Sequence, residues 1–149
     1  MRLSFAAFIP ISIFLFALAF PQAYAIAGDL LYVTNSDAEI VSVIDGEKGV
    51  IIREVKVGID PCDIVIDPKG ELIAISHEEK RGEVWFLNRK DLSVRSKTLL
   101  AEEKEGRRTS CFFLSFSRDS KKLYAANRYS GLVFVVDVQK ARVAKKISL

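Results

Sequence analysis

The stretch "LYVTNSDAEIVSVID", Leu31 to Asp45, returns ninety-two residues later as "LYAANRYSGLVFVVD", Leu123 to Asp137. Each copy holds two short apolar runs around a small polar turn and closes on an acid. Leu-Tyr, the Asn at the fifth place and the closing Val/Ile-Asp keep their register. A looser third copy begins at Leu72 as "LIAISHEEKRGEVWFLN". Aligned on Leu31, Leu72 and Leu123, the copies are 41 and 51 residues apart, the difference falling mainly on the charged insert 101–109. A period of about 40 to 45 residues with four strands per unit is that of propeller blades.

The strands follow from composition. Leu30–Thr34, Ile40–Ile44 and Val50–Val57 are short, rich in Val, Ile and Tyr, and separated by Asn, Asp, Gly and Lys. The pattern predicts four more at Ile64–Ile66, Leu72–Ser76, Val84–Asn88 and Val94–Leu100, then four at Phe112–Phe116, Leu123–Ala126, Leu132–Val136 and Arg142–Ile147. "VSVI", "VWFL" and "LVFVV" are apolar at nearly every position, as in strands covered on both faces. The expected fold is all-β: propeller blades of four-stranded antiparallel sheets in an incomplete ring of about 2.75 blades. The blades are assigned to 28–57, 58–100 and 101–149. Eleven strands leave the first blade without its innermost one. Closed propellers need roughly four to eight blades, so the chain is read as part of a longer propeller, with self-association as the other way to cover its edges.

"LYVTN", "VSVID" and "VKVGIDPCDIVIDPKG" together resemble the repeat of the YVTN family of β-propellers. The resemblance is strongest in the first copy and looser in the second. It implies an exported bacterial or archaeal propeller, often of about seven blades, and says little about ligand.

The N-terminus agrees with export. Arg2 precedes an apolar run from Phe5 to Phe20, and Ala23-Tyr24-Ala25 is a small-x-small site. This is the pattern of a cleaved signal peptide, residues 1–25, with Ala27 as a second cleavage point. The alternative is a retained membrane anchor. A periplasmic or extracellular location follows. The formal charge of +3 falls to +2 without Arg2, too little to point to nucleic acid.

Propeller geometry puts Asn35–Glu39, Gly58–Asp63, His77–Gly82, Ala101–Cys111 and Asn127–Gly131 on one face around the channel mouth. That face collects the candidate ligand residues: Asn35, Asp60, Asp63, His77, Arg81, Arg107, Arg108, Asn127 and Arg128. The arginines offer bidentate donors to an anionic ligand; the plainer reading is solvated loops. Asp60 and Asp63 are a carboxylate pair for a cation or caps of the turn before the strand. The recurrence of Asn35 and Asn127, and of Asp45 and Asp137, speaks for turn geometry. His77 is a candidate general base, or a haem ligand as in related propellers. Cys62 and Cys111 precede neighbouring innermost strands and form either a disulfide at the channel mouth or two buried thiols. One His and two Cys argue against a four-ligand zinc site. No nucleophile elbow, phosphate loop or dinucleotide fingerprint occurs, and no cofactor is expected. The leading function is an exported, non-catalytic binding module. The alternatives are the front part of a lactonase-like or haem-binding propeller, or a cell-surface structural repeat.

Overall fold

The computed structural model describes residues 24–78, 82–100, 112–128 and 130–149. Twelve strands form three four-stranded antiparallel sheets, each made of consecutive strands. The first holds β1 (Tyr24–Ala27), β2 (Leu30–Asn35), β3 (Ile40–Asp45) and β4 (Val50–Lys56). The second holds β5 (Pro61–Ile66), β6 (Leu72–His77), β7 (Glu83–Asn88) and β8 (Val94–Leu99). The third holds β9 (Phe112–Phe116), β10 (Lys122–Asn127), β11 (Leu132–Asp137) and β12 (Arg142–Ser148). All eleven expected strands are present within a few residues of their expected bounds.

Two expectations are corrected. First, the opening blade does not lack its innermost strand. Tyr24–Ala27 supplies it, pairing with β2 in the register Tyr24↔Val33 to Ala27↔Leu30. The turn is Gly28-Asp29, with Gly28 at φ 62°, a sign that only glycine takes readily in the first place of a tight hairpin. The signal-peptide reading divides these four residues between the leader and the chain after it. Cleavage after Ala25 cuts β1, and cleavage after Ala27 removes it. Residues 1–23, with the apolar run, lie outside the described residues.

Second, the repeat register moves by one residue. Strand pairing places Leu31, Ile73 and Leu123 in equivalent positions, 42 and 50 apart, instead of Leu31, Leu72 and Leu123. The cause is physical. All six residues of β6 are buried, so it shows no in–out alternation, and parity is what fixes strand register. With "LI" apolar at both places, the sequence offered nothing to choose between them.

Once aligned, the sheets share their devices. Each has a bulge between its third and fourth strands, at Val43/Ile44, Phe86/Leu87 and Val135/Val136. Each has a left-handed residue four after the acid or amide that closes its third strand: Gly49 (φ 65°), Leu92 (φ 59°) and Ala141 (φ 47°). Asp45 Oδ1 accepts the Lys48 N–H at 2.9 Å, and Asp137 Oδ1 accepts the Lys140 N–H at 3.0 Å. Asn35 Oδ1 takes the Ala38 N–H at 3.0 Å, and Asn127 Oδ1 the Ser130 N–H at 2.9 Å. The recurring polar residues are therefore turn-formers.

The core consists of two layers between sheets. Tyr32, Val41, Val43 and Val57 pack against Ile64, Ile73, Ile75, Leu87 and Leu92. Ala74, Val84, Phe86 and Leu100 pack against Phe112, Leu114, Leu123, Ala125, Phe134 and Val136. Phe112 and Phe134 meet edge to face at 5.7 Å. Each buried Val, Leu, Ile or Phe among them contributes on the order of 1.5–3 kcal/mol. Sheets touch mainly through their inner strands, β5 on β1 and β2, and β9 on β5 and β6. They fan outward from there, as propeller blades do.

Candidate functional site

The β2–β3 turn, the β4–β5 link, the start of the β6–β7 loop and the β10–β11 turn lie at one end of the sheets, as strand pairing requires. Asn35, Asp60, Asp63, His77, Asn127 and Arg128 are at this end. Arg81, Arg107, Arg108 and Cys111 lie outside the described residues.

His77 is not in the loop. It is the last residue of β6, in the position of Asn35 and Asn127, and only 1 % of its surface is exposed. Nε2 donates to the Val57 carbonyl at 2.7 Å, which puts the ring proton on that nitrogen and leaves Nδ1 as an acceptor. Nδ1 has no hydrogen-bond partner among the described residues. The ring meets Trp85 at 4.8 Å between centroids. A Cβ on Gly58, whose φ is 98°, would stand 2.9 Å from Trp85 and 3.5 Å from His77 Nε2, so the glycine is needed for this close packing. Burial holds the His77 pKa below the ordinary histidine value, with the Val57 carbonyl and the Glu83 carboxylate opposing and Lys97 reinforcing the shift. Nε2 is taken and Trp85 covers the ring, so the arrangement does not fit an axial haem ligand or a general base reached by solvent.

Asp63 ties the second sheet to the third. Oδ2 accepts the Leu114 N–H at 2.7 Å, and Oδ1 accepts the Ile64 N–H at 2.9 Å. Its own N–H goes to Ser76 Oγ at 3.1 Å, and Ser76 donates onward to the Phe112 carbonyl at 2.8 Å. Burial raises the Asp63 pKa above the usual carboxylate value, and the Leu114 and Ile64 N–H groups only partly offset this. Asp63 lies within β5 and its carboxylate bridges to the third sheet, which is neither a cap of the preceding turn nor half of a carboxylate pair with Asp60. Asp60 takes a left-handed turn position at φ 47°, and its carbonyl accepts the Glu78 N–H at 2.9 Å. Among the described residues no three His, Cys, Asp or Glu side chains converge as metal ligands do.

Cys62 is disulfide-bonded, and the sequence has one other cysteine, Cys111. Neighbouring Ser36 Oγ donates to the Pro61 carbonyl at 2.8 Å, joining the first sheet's turn to the start of β5. Trp85 donates Nε1–H to Glu83 at 3.0 Å and carries Lys97 Nζ 3.3 Å from its ring centroid.

The opposite end holds a feature that the sequence did not suggest. An open cleft of about 420 Å³ lies between the β1–β2 turn and the β5–β6 turn, lined by Ile26, Gly28, Lys69, Gly70 and Arg89. Beneath it Asp67, 3 % exposed, accepts the Glu71 and Leu72 N–H groups at 2.7 Å each. Burial raises its pKa, but these and further N–H donors outweigh that and hold it below the ordinary value.

No family model and no curated protein matches the chain. Solved structures do. Hydrazine synthase from Kuenenia stuttgartiensis superposes with a TM-score of 0.70 at 24 % identity, over 85 % of this chain and 36 % of that one. KlHsv2 with loop 6CD replaced by a Gly-Ser linker superposes with a TM-score of 0.70 at 16 % identity, over 85 % of this chain and 41 % of that one. The likeness establishes the β-propeller fold. The chain spans well under half the length of either structure.

Proposed function

We propose that the chain contributes three blades to an exported, YVTN-like propeller that acts as a binding module rather than a catalyst. The observation that carries this is the use made of the polar residues at the loop end. Asn35 and Asn127 shape turns, Asp63 clasps two sheets, and His77 is sealed under Trp85. They serve as anchors that hold the loop end on a rigid frame, the usual construction of a recognition surface. The arginines at 81, 107, 108 and 128 belong by sequence to the loops of this end, and their fork geometry suits carboxylate or phosphate.

The test compares the chain with a variant carrying Ser at all four arginine positions. Both are titrated calorimetrically with inorganic phosphate, citrate and an acidic peptide. Binding by the parent and at least a tenfold loss in the variant is the expected result. Equal binding by both proteins, or none by the parent, removes the anionic-ligand reading. A redox propeller would instead show visible colour in the purified protein.

A further inference from the structure

The three sheets differ where their two innermost strands turn. The first joins β1 to β2 through residues 28–29 alone, whereas the second and third use 67–71 and 117–121. Strand pairing makes Gly28, Gly70 and Ser120 equivalent, and all three take the left-handed conformation, at φ 62°, 70° and 60°. In the third sheet Ser120 is buried. Beside the short first turn the open cleft of about 420 Å³ remains, and glycines at 28 and 70 put no side chain into it.

One wall of this cleft breaks the repeat. In each sheet the residue after the third strand donates its N–H to the inner turn: Gly46 to Asp29 at 2.6 Å, Arg89 to Glu71 at 2.9 Å, and Val138 to Lys121 at 3.0 Å. The backbone place is the same and the side chains are not. Val138 packs against the core between the second and third sheets. At Gly46 a Cβ would stand 2.9 Å from the Asp29 carbonyl oxygen, so no side chain fits. Arg89 is half-buried and lies over Gly70, its guanidinium carbon 4.0 Å from where a Cβ on that glycine would stand. Among the described residues its guanidinium has no hydrogen bond or ion pair. Lys69 also departs from the repeat: the third sheet has Asp119 in its place, and the shorter first turn has no counterpart.

Lys69 and Arg89 are the cations of the cleft. Its lining carboxylate, Asp67, is turned onto the N–H groups of Lys69, Glu71 and Leu72. Asp29, Glu71 and Asp91, in the adjoining turns, do not line it. The field inside is therefore positive, and low-dielectric walls concentrate it. Ile26, Ile66 and Pro68 give the cleft an apolar side, and its volume lies in the range of small-molecule sites, roughly 300–1,000 Å³. Its walls come from the first and second sheets, which already pack on each other. A further sheet against β1 would border the cleft at Ile26 and leave the other walls as they are.

We propose that this cleft binds a small organic anion, with its carboxylate or phosphate held by Arg89 and Lys69 and its apolar body against Ile26, Ile66 and Pro68. The planar fork of Arg89 suits two oxygens of one head group, and Lys69 adds a point charge on a flexible stem. The site is at the end opposite the arginine loops and does not rest on a ligand binding there.

The test is calorimetric titration of the full chain with phenyl phosphate, benzoate and inorganic phosphate. Arg89→Gln, Lys69→Gln and the variant with Ser at 81, 107, 108 and 128 are titrated alongside. Circular dichroism checks that each keeps its strands, and Lys69 is exposed, so its replacement leaves the core alone. The parent is expected to bind phenyl phosphate or benzoate saturably, and more tightly than inorganic phosphate. Arg89→Gln and Lys69→Gln are each expected to weaken this about tenfold, the worth of one charge-assisted contact, and the four-serine variant to keep it. The Gly28 and Gly70 amide resonances should shift on addition of the organic anion. No saturable binding of either organic anion by the parent overturns the proposal, as does unchanged binding by both cleft variants. Inorganic phosphate binding as tightly as phenyl phosphate overturns the choice of an organic ligand. Binding that survives in the cleft variants and vanishes in the four-serine variant assigns the anion to the loop end instead, which sinks this site and sustains the other.

Discussion

Replacing Asp63 with Asn isolates the polar clasp between the second and third sheets. The change keeps shape and volume but turns one carboxylate oxygen into an amide donor. In the native protein both oxygens accept backbone N–H groups, from Leu114 at 2.7 Å and Ile64 at 2.9 Å. Asparagine can satisfy one of them; the other must face its NH₂. An unpaired, largely buried N–H costs about 1–3 kcal/mol, and the lost bond about 1 kcal/mol more. Removing a charge that burial disfavours returns part of this, so the net cost is about 2 kcal/mol. In urea, with a slope of roughly 1–3 kcal/mol/M for a domain of this size, the midpoint falls by about 1 M. The pH dependence has a definite sign. The folded pKa is raised, so this carboxyl's contribution to stability is complete below its ordinary value of 3.8 and is lost as pH rises through the higher folded value. The cost of Asp63→Asn is therefore larger near pH 3.5 than at pH 7. A midpoint within about 0.2 M of the parent at both pH values, on the same urea scale, would show that Asp63 does not hold the sheets together and refute the clasp.

Asp67 behaves oppositely. Its depressed pKa gives stability above pH 3.8 that is lost as pH falls through the folded value, so Asp67→Asn should flatten acid unfolding monitored by circular dichroism. His77, also depressed, contributes stability above its ordinary 6.5 that is lost below it, and His77→Leu should remove that step from a melting-temperature profile between pH 5 and 7. Ala141 at φ 47° carries left-handed strain that Gly49 avoids at the equivalent place. Ala141→Gly should add about 0.5–1 kcal/mol and Gly49→Ala remove about 1 kcal/mol, read from urea midpoints. Non-reducing peptide mapping should find Cys62 joined to Cys111, and reduction should lower stability by about 4 kcal/mol for a loop of this length.

How far the sequence reveals this molecule depends on where its side chains alternate. β2 and β3 repeat a half-covered, half-open pattern, and the Asn and Asp turns between strands have local causes, so strands, turns and sheet order are all legible. β6 is buried throughout, alternation vanishes, and the alignment slips by one residue there. That slip hides the role of His77. Aligned on Leu72 it falls one place beyond the turn asparagines and looks like the first residue of a charged loop. Aligned on Ile73 it takes the asparagine place itself, where an imidazole too large to cap the turn points inward and bonds to Val57 instead. β1 is hidden in the sequence for a different reason. Tyr24–Ala27 satisfies a signal-cleavage pattern and a strand pattern at once, and only the partner β2, with a free edge toward the ring centre, decides for the strand. The same dependence on neighbours governs burial. Tyr124 and Tyr32 are the same residue in the same place, one 37 % and one 3 % exposed, so burial at this position is set by the neighbouring sheet and not by the strand's own sequence.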